Sequence, residues 1–291
     1  MKSLNKIFYI IMLFLVPIMA SCINEDDSEC VQYSVTAQAV DGKGNALSGS
    51  VMKGKEALLF INGLFEREVQ AESDGRYLIS FDGGEQATLA IFGNVLNDSV
   101  NIKEPKVGDS IENVSVMQNV AARTPNETAS MPEYLLYGRF DYKPTNKGET
   151  AAVSLQLHNE CARLHVVLKN MQSRFNDGNY TVKLEGFRNG VSFSGTVTGD
   201  SVSYEPKGAF NAQGDYVTEA INVLPTAPGE YVTVSIYKNG IPLLSVAKDE
   251  NGNPVTLSAG DDKSMVIDVN AVKCFITVMP WDDNGQSTVF N

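Results

Sequence analysis

The thiol of Cys22 is the strongest candidate for chemistry in this sequence. It follows an uninterrupted apolar segment, residues 7–19, which has a lysine-bearing start before it and the small residues Ala20 and Ser21 after it. A basic start, a short apolar core and small residues before a break are the parts of a secretory signal. The apolar segment is shorter than the ~20 residues that cross a bilayer. We therefore predict that residues 1–21 are removed by cleavage between Ser21 and Cys22, which leaves Cys22 at the new amino end.

The chemistry expected of Cys22 is lipidation. Residues 19–22, Met-Ala-Ser-Cys, resemble a bacterial lipobox, in which the cysteine receives diacylglycerol and the new amino end is acylated with a chain such as palmitate. Two or three acyl chains hold a protein at a membrane far more strongly than one, since each buried CH₂ adds ~0.8 kcal/mol. The alternative is an ordinary secreted protein with a chance cysteine here. The acidic run at 25–27 resembles the surface-export tag of Bacteroidales lipoproteins, which predicts a lipid-anchored protein on the outer, cell-surface face of the outer membrane.

The net charge limits the partners. The chain carries a formal charge of −12, and residues 1–21 hold two lysines and no acidic residue, so the mature part is at −12 − 2 = −14. Such a chain is not expected to bind nucleic acid or an anionic membrane surface electrostatically, so membrane contact has to come through the lipid on Cys22. The 270 residues left after cleavage (291 − 21) suit two domains that each bury a core.

No other group of residues has the types and spacing of an active site. The two histidines, His158 and His165, lie opposite the apolar face of predicted strands, as expected for solvated side chains. The sequence has neither a Gly-Lys-Ser phosphate loop nor a Gly-x-Ser-x-Gly nucleophile elbow. A glycosidase-type carboxylate pair, which would meet only in three dimensions, stays open, as does sugar contact by Trp281, the only tryptophan. We predict no catalytic residue and no cofactor.

The remaining cysteines are Cys30, Cys161 and Cys274. An odd number of thiols in an oxidising compartment allows at most one disulfide within the chain. No pair of them has the spacing of zinc ligands, and only two histidines could assist, so we predict no metal site.

The mature chain is predicted to consist of β-structure. Apolar and polar side chains alternate over 31–39, and similar short runs recur about every ten residues with turn residues between them, which is typical of a β-sandwich or barrel. Asn62-Gly63 is a candidate tight turn between two of these runs. The mostly apolar segment 88–95 predicts a buried central strand. A short helix is predicted near 114–122.

The polar segment 143–148 is the best candidate for a linker. It divides the mature chain into a lipidated acidic tether at 22–30, an N-terminal β-sandwich at 31–148 and a C-terminal β-sandwich at 149–291. We predict two tandem domains of this all-β class.

The strand pattern continues through the second half. Asn239-Gly240 predicts a hairpin, and Asn189-Gly190 predicts a break before the next strand. The final strand is expected over 275–279, and no long helix is predicted anywhere after the signal.

The layout resembles the FimB-type fimbrial anchor family of Bacteroidales, the lipoproteins that hold type V pili at their base. The resemblance covers nearly the whole mature chain and rests on hydrophobic patterns. Besides the lipobox cysteine and the acidic spacer, its marks are a second cysteine before the first strand, an early hairpin, the opening strand of a second domain and a near-terminal tryptophan. These are Cys30, residues 60–65, residues 162–168 and Trp281.

This resemblance implies two tandem transthyretin-like β-sandwich domains and a fimbrial stalk pilin as the partner. In this system a stalk pilin is cut after an arginine that follows its first strand. The strand then leaves, and the exposed groove accepts a strand from a neighbouring subunit by β-strand addition. An anchor differs because it keeps its first strand. Between Cys22 and Gly63 this sequence has no arginine, the first being Arg67, which favours an anchor over a stalk subunit.

The leading hypothesis is a surface lipoprotein that anchors or terminates a fimbrium. Its 31–39 strand would stay in place, and its 275–279 strand and tail would pass to the adjoining pilin. A tip or accessory fimbrial subunit is the nearest variant. A glycan-binding surface lipoprotein made of tandem β-sandwiches is the alternative from another class, and an enzyme comes third. An apolar groove or a loosely paired terminal strand would favour pilus assembly, whereas an exposed aromatic platform would favour glycan binding.

Overall fold

The structure, a computed structural model, describes residues 30–41, 43–47, 54–95, 99–119, 131–143, 150–176, 178–271 and 273–280. Within these ranges the chain forms nineteen β-strands and one helix of five residues. The all-β class that the alternating patterns predict is therefore confirmed. The described ranges contain no helix long and apolar enough to span a membrane.

Seven strands form the N-terminal sheet. They are β1 (Cys30–Ala39), β2 (Lys55–Ile61), β3 (Leu64–Glu68), β4 (Arg76–Asp82), β5 (Ala87–Gly93), β8 (Leu136–Tyr142) and β9 (Thr150–Asn159). Their order is β3-β2-β5-β8-β9-β1-β4, and neighbours are antiparallel except for the parallel pair β1–β9. One face of the sheet surrounds a core in which Val35, Leu89 and Leu157 are fully buried. The strand predicted over 31–39 is confirmed as β1.

Two further sheets form the C-terminal sandwich. The first contains β6 (Val100–Ile102), β7 (Ser115–Gln118), β11 (Tyr180–Ser192), β12 (Val197–Tyr204), β16 (Thr233–Lys238) and β17 (Ile241–Val246). The second contains β10 (Ala162–Lys169), β13 (Gly208–Phe210), β14 (Tyr216–Thr218), β15 (Ile221–Val223), β18 (Asp262–Asp268) and β19 (Thr277–Pro280), and helix α1 (Met171–Phe175) follows β10.

Strand order in the sandwich is β17-β16-β11-β7-β6 in one sheet, with β12 also on β11, and β13-β14-β10-β18-β19 in the other, with β15 also on β10. Leu164, Leu184 and Ile267 are fully buried in the core of this unit. Alternating apolar residues therefore meet from both sheets, as in other sandwiches.

Two tight turns follow directly from their sequences. Asn62 and Gly63 have φ angles of 53° and 80°, and Asn239 and Gly240 have 51° and 77°. A two-residue hairpin loop of the primed type needs positive φ at both positions, which asparagine and glycine tolerate best. Both predicted hairpins, β2–β3 and β16–β17, are confirmed.

β5 is buried at all seven of its positions, so the prediction of a buried central strand is confirmed. The strand is covered on both faces because a third core lies on the outer side of the N-terminal sheet. This core contains Leu58 and Phe92 from the N-terminal sheet and Val191 and Phe193 from the C-terminal sandwich. It therefore joins the two units.

The helix predicted near 114–122 is wrong for residues 115–118, which form strand β7; residues 120–122 lie outside the described part. Val114 and Val116 are both buried, with the period of two that a strand requires. β7 pairs with β6 on one side and β11 on the other, so the sheet determines its conformation.

The break predicted at Asn189-Gly190 is also wrong, because β11 runs through both residues. Gly190 pairs with Met117 of β7, and a Cβ on this glycine would lie 2.3 Å from the Met117 sulfur. The glycine therefore permits close approach between strands. The chain reverses after Ser192 instead, where the Gly195 N–H donates to the Ser192 carbonyl at 2.9 Å.

Sheet pairing crosses the predicted domain boundary at 148/149. β9 follows the predicted linker yet pairs with β1 in the N-terminal sheet, whereas β6 and β7 precede the linker and join the C-terminal sandwich. Alternation predicts a strand but does not indicate which sheet it joins. We therefore propose a boundary near residue 160, with β6 and β7 supplied to the second unit.

Candidate subunit-joining site

β1 lies inside the N-terminal sheet with both edges paired. It pairs with β4 at seven positions and with β9 at eight. Val31, Tyr33, Val35 and Ala39 are at most 6% exposed, and the Tyr33 ring lies 5.2 Å from that of Phe140. The first strand is therefore an integral part of its unit.

Removing β1 would open two ladders at once. Each fully buried valine contributes ~1.5–3 kcal/mol, and each interstrand hydrogen bond contributes ~1 kcal/mol net. Together these terms are of the order of the ~5–15 kcal/mol by which a whole domain is usually stable. The N-terminal unit is therefore not expected to stay folded without β1.

β19, at the other end of the described chain, is held much less firmly. Among the described strands it pairs with β18 alone, at four positions, and its Val278 side chain is 37% exposed. A groove of about 360 Å³ runs along it, lined by Ile276, Val278 and residues of the 249–256 hairpin. Immediately before the strand, the buried Ile276 donates its N–H to the Lys248 carbonyl at 2.9 Å. Within the described part of the chain, β19 is thus an edge strand with one side unpaired.

The strand predicted over 275–279 corresponds to β19, which begins two residues later, at Thr277. The tail at 281–291, including Trp281, lies outside the described residues.

The turn between β11 and β12 docks on the N-terminal unit. Phe193 is fully buried, with its ring 4.8 Å from that of Phe92 in β5. The Tyr137 hydroxyl of β8 donates to the Phe193 carbonyl at 2.9 Å, and Arg139 Nη1 donates to the Ser194 carbonyl at 3.1 Å. Burial raises the pKa of Tyr137, so its hydroxyl stays protonated and can donate.

Main-chain hydrogen bonds add to this junction, because the Phe65 N–H of β3 donates to the Asp109 carbonyl in the β6–β7 connection at 2.7 Å, and the Ile111 N–H of that connection donates to the Gly63 carbonyl at 2.9 Å. Units that share main-chain hydrogen bonds and a hydrophobic core are not expected to move freely relative to each other, unlike domains joined by a small polar interface. β1 and β19 therefore lie on two units that are joined firmly.

A cleft of about 460 Å³ lies where the units meet, lined by the end of β1 and the β9–β10 connection. Burial raises the pKa of Glu160 from 4.5 to about 7. Burial is also the main cause that raises the pKa of the Cys161 thiol from 9 to about 12. Because the thiolate is the reactive form, Cys161 is not suited to act as a nucleophile at neutral pH.

The predicted site residues Ser21 and Cys22 lie outside the described residues, as does the side chain of Cys30. Cys161 and Cys274 are both free thiols. The described residues contain no group of three or more His, Cys, Asp or Glu side chains placed to hold a metal ion.

The two histidines differ in their surroundings. His158 is exposed on β9, as predicted. His165 on β10 is half-buried, and its pKa is lowered mainly by burial and further by the nearby Arg163.

Sequence reasoning missed the residues of the junction: Tyr137, Arg139 and Phe193. One signal was available, since Val191 and Phe193 alternate with two serines directly after Asn189-Gly190. This alternation continues the strand instead of starting another. Nothing in the pattern indicates that Phe193 packs on the other unit.

Comparison with known proteins places this architecture among fimbrial proteins. The model of the family described as "Mfa2: Fimbrillin-A associated anchor proteins Mfa1 and Mfa2" matches residues 31–285. The major fimbrium anchoring subunit FimB of Porphyromonas gingivalis is 21% identical over 298 residues, covering 94% of each chain. The solved structure of the fimbrial anchor protein Mfa2 from the same organism is 17% identical, with a TM-score of 0.60 over 87% of this chain and 98% of that one.

The fold also matches a Bacteroides thetaiotaomicron structure provisionally described as polysaccharide-binding. The identity is 13% and the TM-score 0.60, over 88% of this chain and 100% of that one. Identities this low establish a common fold alone.

Proposed function

This chain belongs to the Mfa2 family of fimbrillin-A-associated anchor proteins, and we propose that it anchors or terminates a fimbrium at the cell surface. The protein would be attached to the outer membrane by lipid on Cys22 and to a stalk pilin by β-strand addition. The observation that carries the proposal is the position of β1, which is paired along both edges inside the N-terminal sheet.

Retention of β1 separates an anchor from a stalk subunit of the kind described above. A stalk subunit gives up its first strand, whereas loss of β1 would open the N-terminal core here. No arginine occurs between Cys22 and Gly63, so an arginine-specific protease has no site at which to release the strand. Cleavage there would also detach the protein from its lipid.

The short distance in sequence between Cys22 and β1 supports attachment close to the membrane. Seven residues, 23–29, separate the proposed lipid from the start of the strand. Seven extended residues span at most ~25 Å, so the N-terminal unit would stand near the outer face of the membrane.

β19 and the tail after it are the proposed donor to the pilin. The strand is at an edge, has four pairs and lies beside an open groove, so the fold can release it at low cost. Main-chain hydrogen bonds in the pilin's groove would supply affinity, and alternate side chains such as Val278 would fill pockets there.

The anchoring role is tested by deleting the gene, followed by imaging and fractionation of the cells. We expect fimbriae to be shed into the medium or to change in length. Fimbriae that stay attached with normal length and number would rule out the anchor role. Immunogold labelling of the wild-type protein distinguishes an anchor from a tip subunit. Label at the base of the fimbriae fits an anchor, and label at their distal ends fits a tip subunit.

Lipid attachment is tested with Cys22→Ala. We expect the protein to leave the membrane fraction, whereas Cys274→Ala, which changes a free thiol in the second unit, should remain there. Membrane association of Cys22→Ala would contradict the lipid anchor.

The donor role is tested by removing residues 281–291 and, separately, by Val278→Asp. Both should keep the protein at the membrane but release fimbriae from the cell. Ile241→Asp is the matched control, because Ile241 is 66% exposed on the edge of the other sheet. Fimbriae that stay attached to the cell normally in both test strains would show that β19 and its tail are not the donor.

Glycan binding is less well supported. Among the described residues, Tyr231 is the one aromatic side chain that is largely exposed, at 46%. A single tyrosine does not form the aromatic platform expected of a sugar-binding surface.

A further inference from the structure

A groove of about 690 Å³ lies where the N-terminal sheet meets the edge of the C-terminal sandwich. Leu58, Phe65 and Val100 supply its apolar lining, together with the half-buried Ile102. All three residues of β6, including Asn101 between the two apolar ones, border the groove. Successive side chains of a strand point to opposite faces, so a groove bordered by all three must run along the edge of β6.

The outer edge of β6 presents main-chain groups to this groove. The Asn119 N–H donates to the Ser99 carbonyl at 2.8 Å, which makes 99/119 a hydrogen-bonded pair. Hydrogen-bonded pairs alternate in an antiparallel ladder, so Asn101 is the β6 residue that bonds to β7. The N–H and C=O groups of Val100 and Ile102 consequently point away from β7. In the sheet order β6 is terminal among the described strands.

Carboxylates give the groove a negative end. Glu68 pairs directly with Leu58 across the β2–β3 ladder and so shares its face, and Glu56 lies two residues before Leu58 on that same face. Burial, and then repulsion from Glu68, raises the pKa of Glu56. Glu68 accepts a hydrogen bond from the neutral amide of Gln70, and Glu104 also lines the groove. The described lining contains no lysine or arginine.

In the described part of the chain, the groove combines an apolar floor, a strand edge with no partner strand, and carboxylates that no lysine or arginine of the lining compensates. These three features define the occupant. We propose that this groove binds an extended segment of another protein, which pairs with the outer edge of β6 and inserts alternate apolar side chains and one lysine or arginine. The basic side chain would contact Glu56 and Glu68. The chain's own tail does not match, because residues 281–291 carry two aspartates and no basic residue. A second copy is disfavoured by the charge of −14 on each mature chain.

This site is separate from the proposed donor strand. β6 and β19 lie in different sheets, and one accepts a strand whereas the other is given away. Failure of the β6 site would therefore leave the anchoring proposal intact, and failure of the anchoring proposal would leave this site open to test.

The test uses the mature chain with Cys22→Ala and a fluorescent, end-capped peptide Thr-Val-Thr-Lys-Thr-Val-Thr, with binding followed by anisotropy. Its valines and lysine fall on one face of an extended strand. We expect a dissociation constant of about 0.01–1 mM, since few main-chain positions are available. No binding at about 2 mM peptide would overturn the proposal.

Modified peptides of two kinds, methylated ones and one with the lysine replaced, identify the binding mode. Methylating the amide nitrogens of alternate residues blocks one edge of the peptide, so one methylated series should lose binding and the other should keep it. Equal binding by both series would overturn strand addition. Replacing the lysine with glutamate should weaken binding at least about tenfold at low salt, and an unchanged affinity would overturn the assigned chemistry.

Substitutions in the protein locate the site. Ile102→Pro removes an outward N–H while leaving the Asn101 ladder bond in place, so affinity should fall at least about tenfold relative to Ile102→Val. Glu56→Gln with Glu68→Gln should remove most of the preference for lysine over glutamate in the peptide, whereas Glu72→Gln, an exposed carboxylate outside the groove, should not. If both Ile102→Pro and the double glutamine variant bind the peptide with wild-type affinity, the peptide binds at a site other than the β6 groove. Circular dichroism confirms folding of each variant before its affinity is measured.

Discussion

The junction between the units should control whether the protein unfolds in one step or two. Phe193 is the residue to substitute, because it comes from the C-terminal sandwich but is fully buried against Phe92 of the N-terminal sheet. Truncating a buried phenylalanine to alanine costs ~3–5 kcal/mol, and the lost edge-to-face aromatic contact lies within that range. For a chain of this size, each kcal/mol lowers the midpoint by ~2–4 °C, so Phe193→Ala should lower it by ~6–20 °C.

Calorimetry of the mature chain carrying Cys22→Ala is the measurement. The parent should unfold in a single transition whose calorimetric and van't Hoff enthalpies agree, and Phe193→Ala should separate it into two. Phe187→Ala is the matched control. Phe187 is 1% exposed and packs edge-to-face on Tyr204 inside the C-terminal core, away from the junction. This control should destabilise by a similar amount while leaving the transition cooperative.

A Phe193→Ala protein that keeps one transition, with a midpoint equal to that of Phe187→Ala, would contradict a special role of Phe193 at the junction. In that case Phe193 would be an ordinary core residue, and the other contacts of the junction, including the main-chain hydrogen bonds between residues 63–65 and 109–111, would join the units. Two transitions in the parent itself would refute the firm junction altogether.

Four further predictions concern individual residues. Tyr137→Phe should cost ~0.5–1.5 kcal/mol, measured by urea unfolding, because the bond to the Phe193 carbonyl is lost. Tyr77→Phe should be neutral or stabilising in the same assay, since among the described residues the buried Tyr77 hydroxyl has no partner; a clear loss would contradict this. Glu160 should make stability fall between pH 4.5 and about 7, because the unfolded chain releases a proton there that the folded chain retains. The loss should be at most ~3.5 kcal/mol. Glu160→Gln should lack that component, and an identical pH profile would argue against it. Gly186→Ala should destabilise the protein by on the order of 3 kcal/mol, because the new Cβ would lie 1.9 Å from the Tyr231 carbonyl oxygen. Gly252→Ala is the control, since Gly252 has a similar φ but open space around it, and it should cost ~1 kcal/mol. Equal melting midpoints for the two variants would contradict the steric clash.

Local sequence predicted the local structure well, for physical reasons. Alternation over 31–39 specifies one buried face, and Asn62-Gly63 specifies positive φ at both turn positions, so β1 and the β2–β3 hairpin could be placed from these residues alone. The full burial of β5 could also be predicted, because its residues are apolar on both faces.

Assignment of strands to sheets could not be predicted, because it depends on residues far apart in the chain. β9 and β10 have the same alternating pattern, yet β9 pairs with β1 and β10 with β18. Gly190 illustrates the same limit. In sequence it looks like half of a turn, and its actual role is to accommodate Met117, a residue 73 positions earlier.

The unequal pairing of the two end strands bears on how an anchor of this design would fail when pulled. Tension between the lipid and the pilin would act on β1 at one end of the protein and on β19 at the other. β1 makes fifteen residue pairs in two ladders, whereas the described part of β19 makes four residue pairs in one ladder. With ~1 kcal/mol per interstrand bond, β19 separates from β18 long before β1 separates from its neighbours. A pilin that received β19 would replace its pairs with a new ladder, so separation from the home sheet would not end the connection. Strength of attachment would then depend on the pilin's groove and on the lipid, which places the weakest step of the proposed anchor outside its own fold.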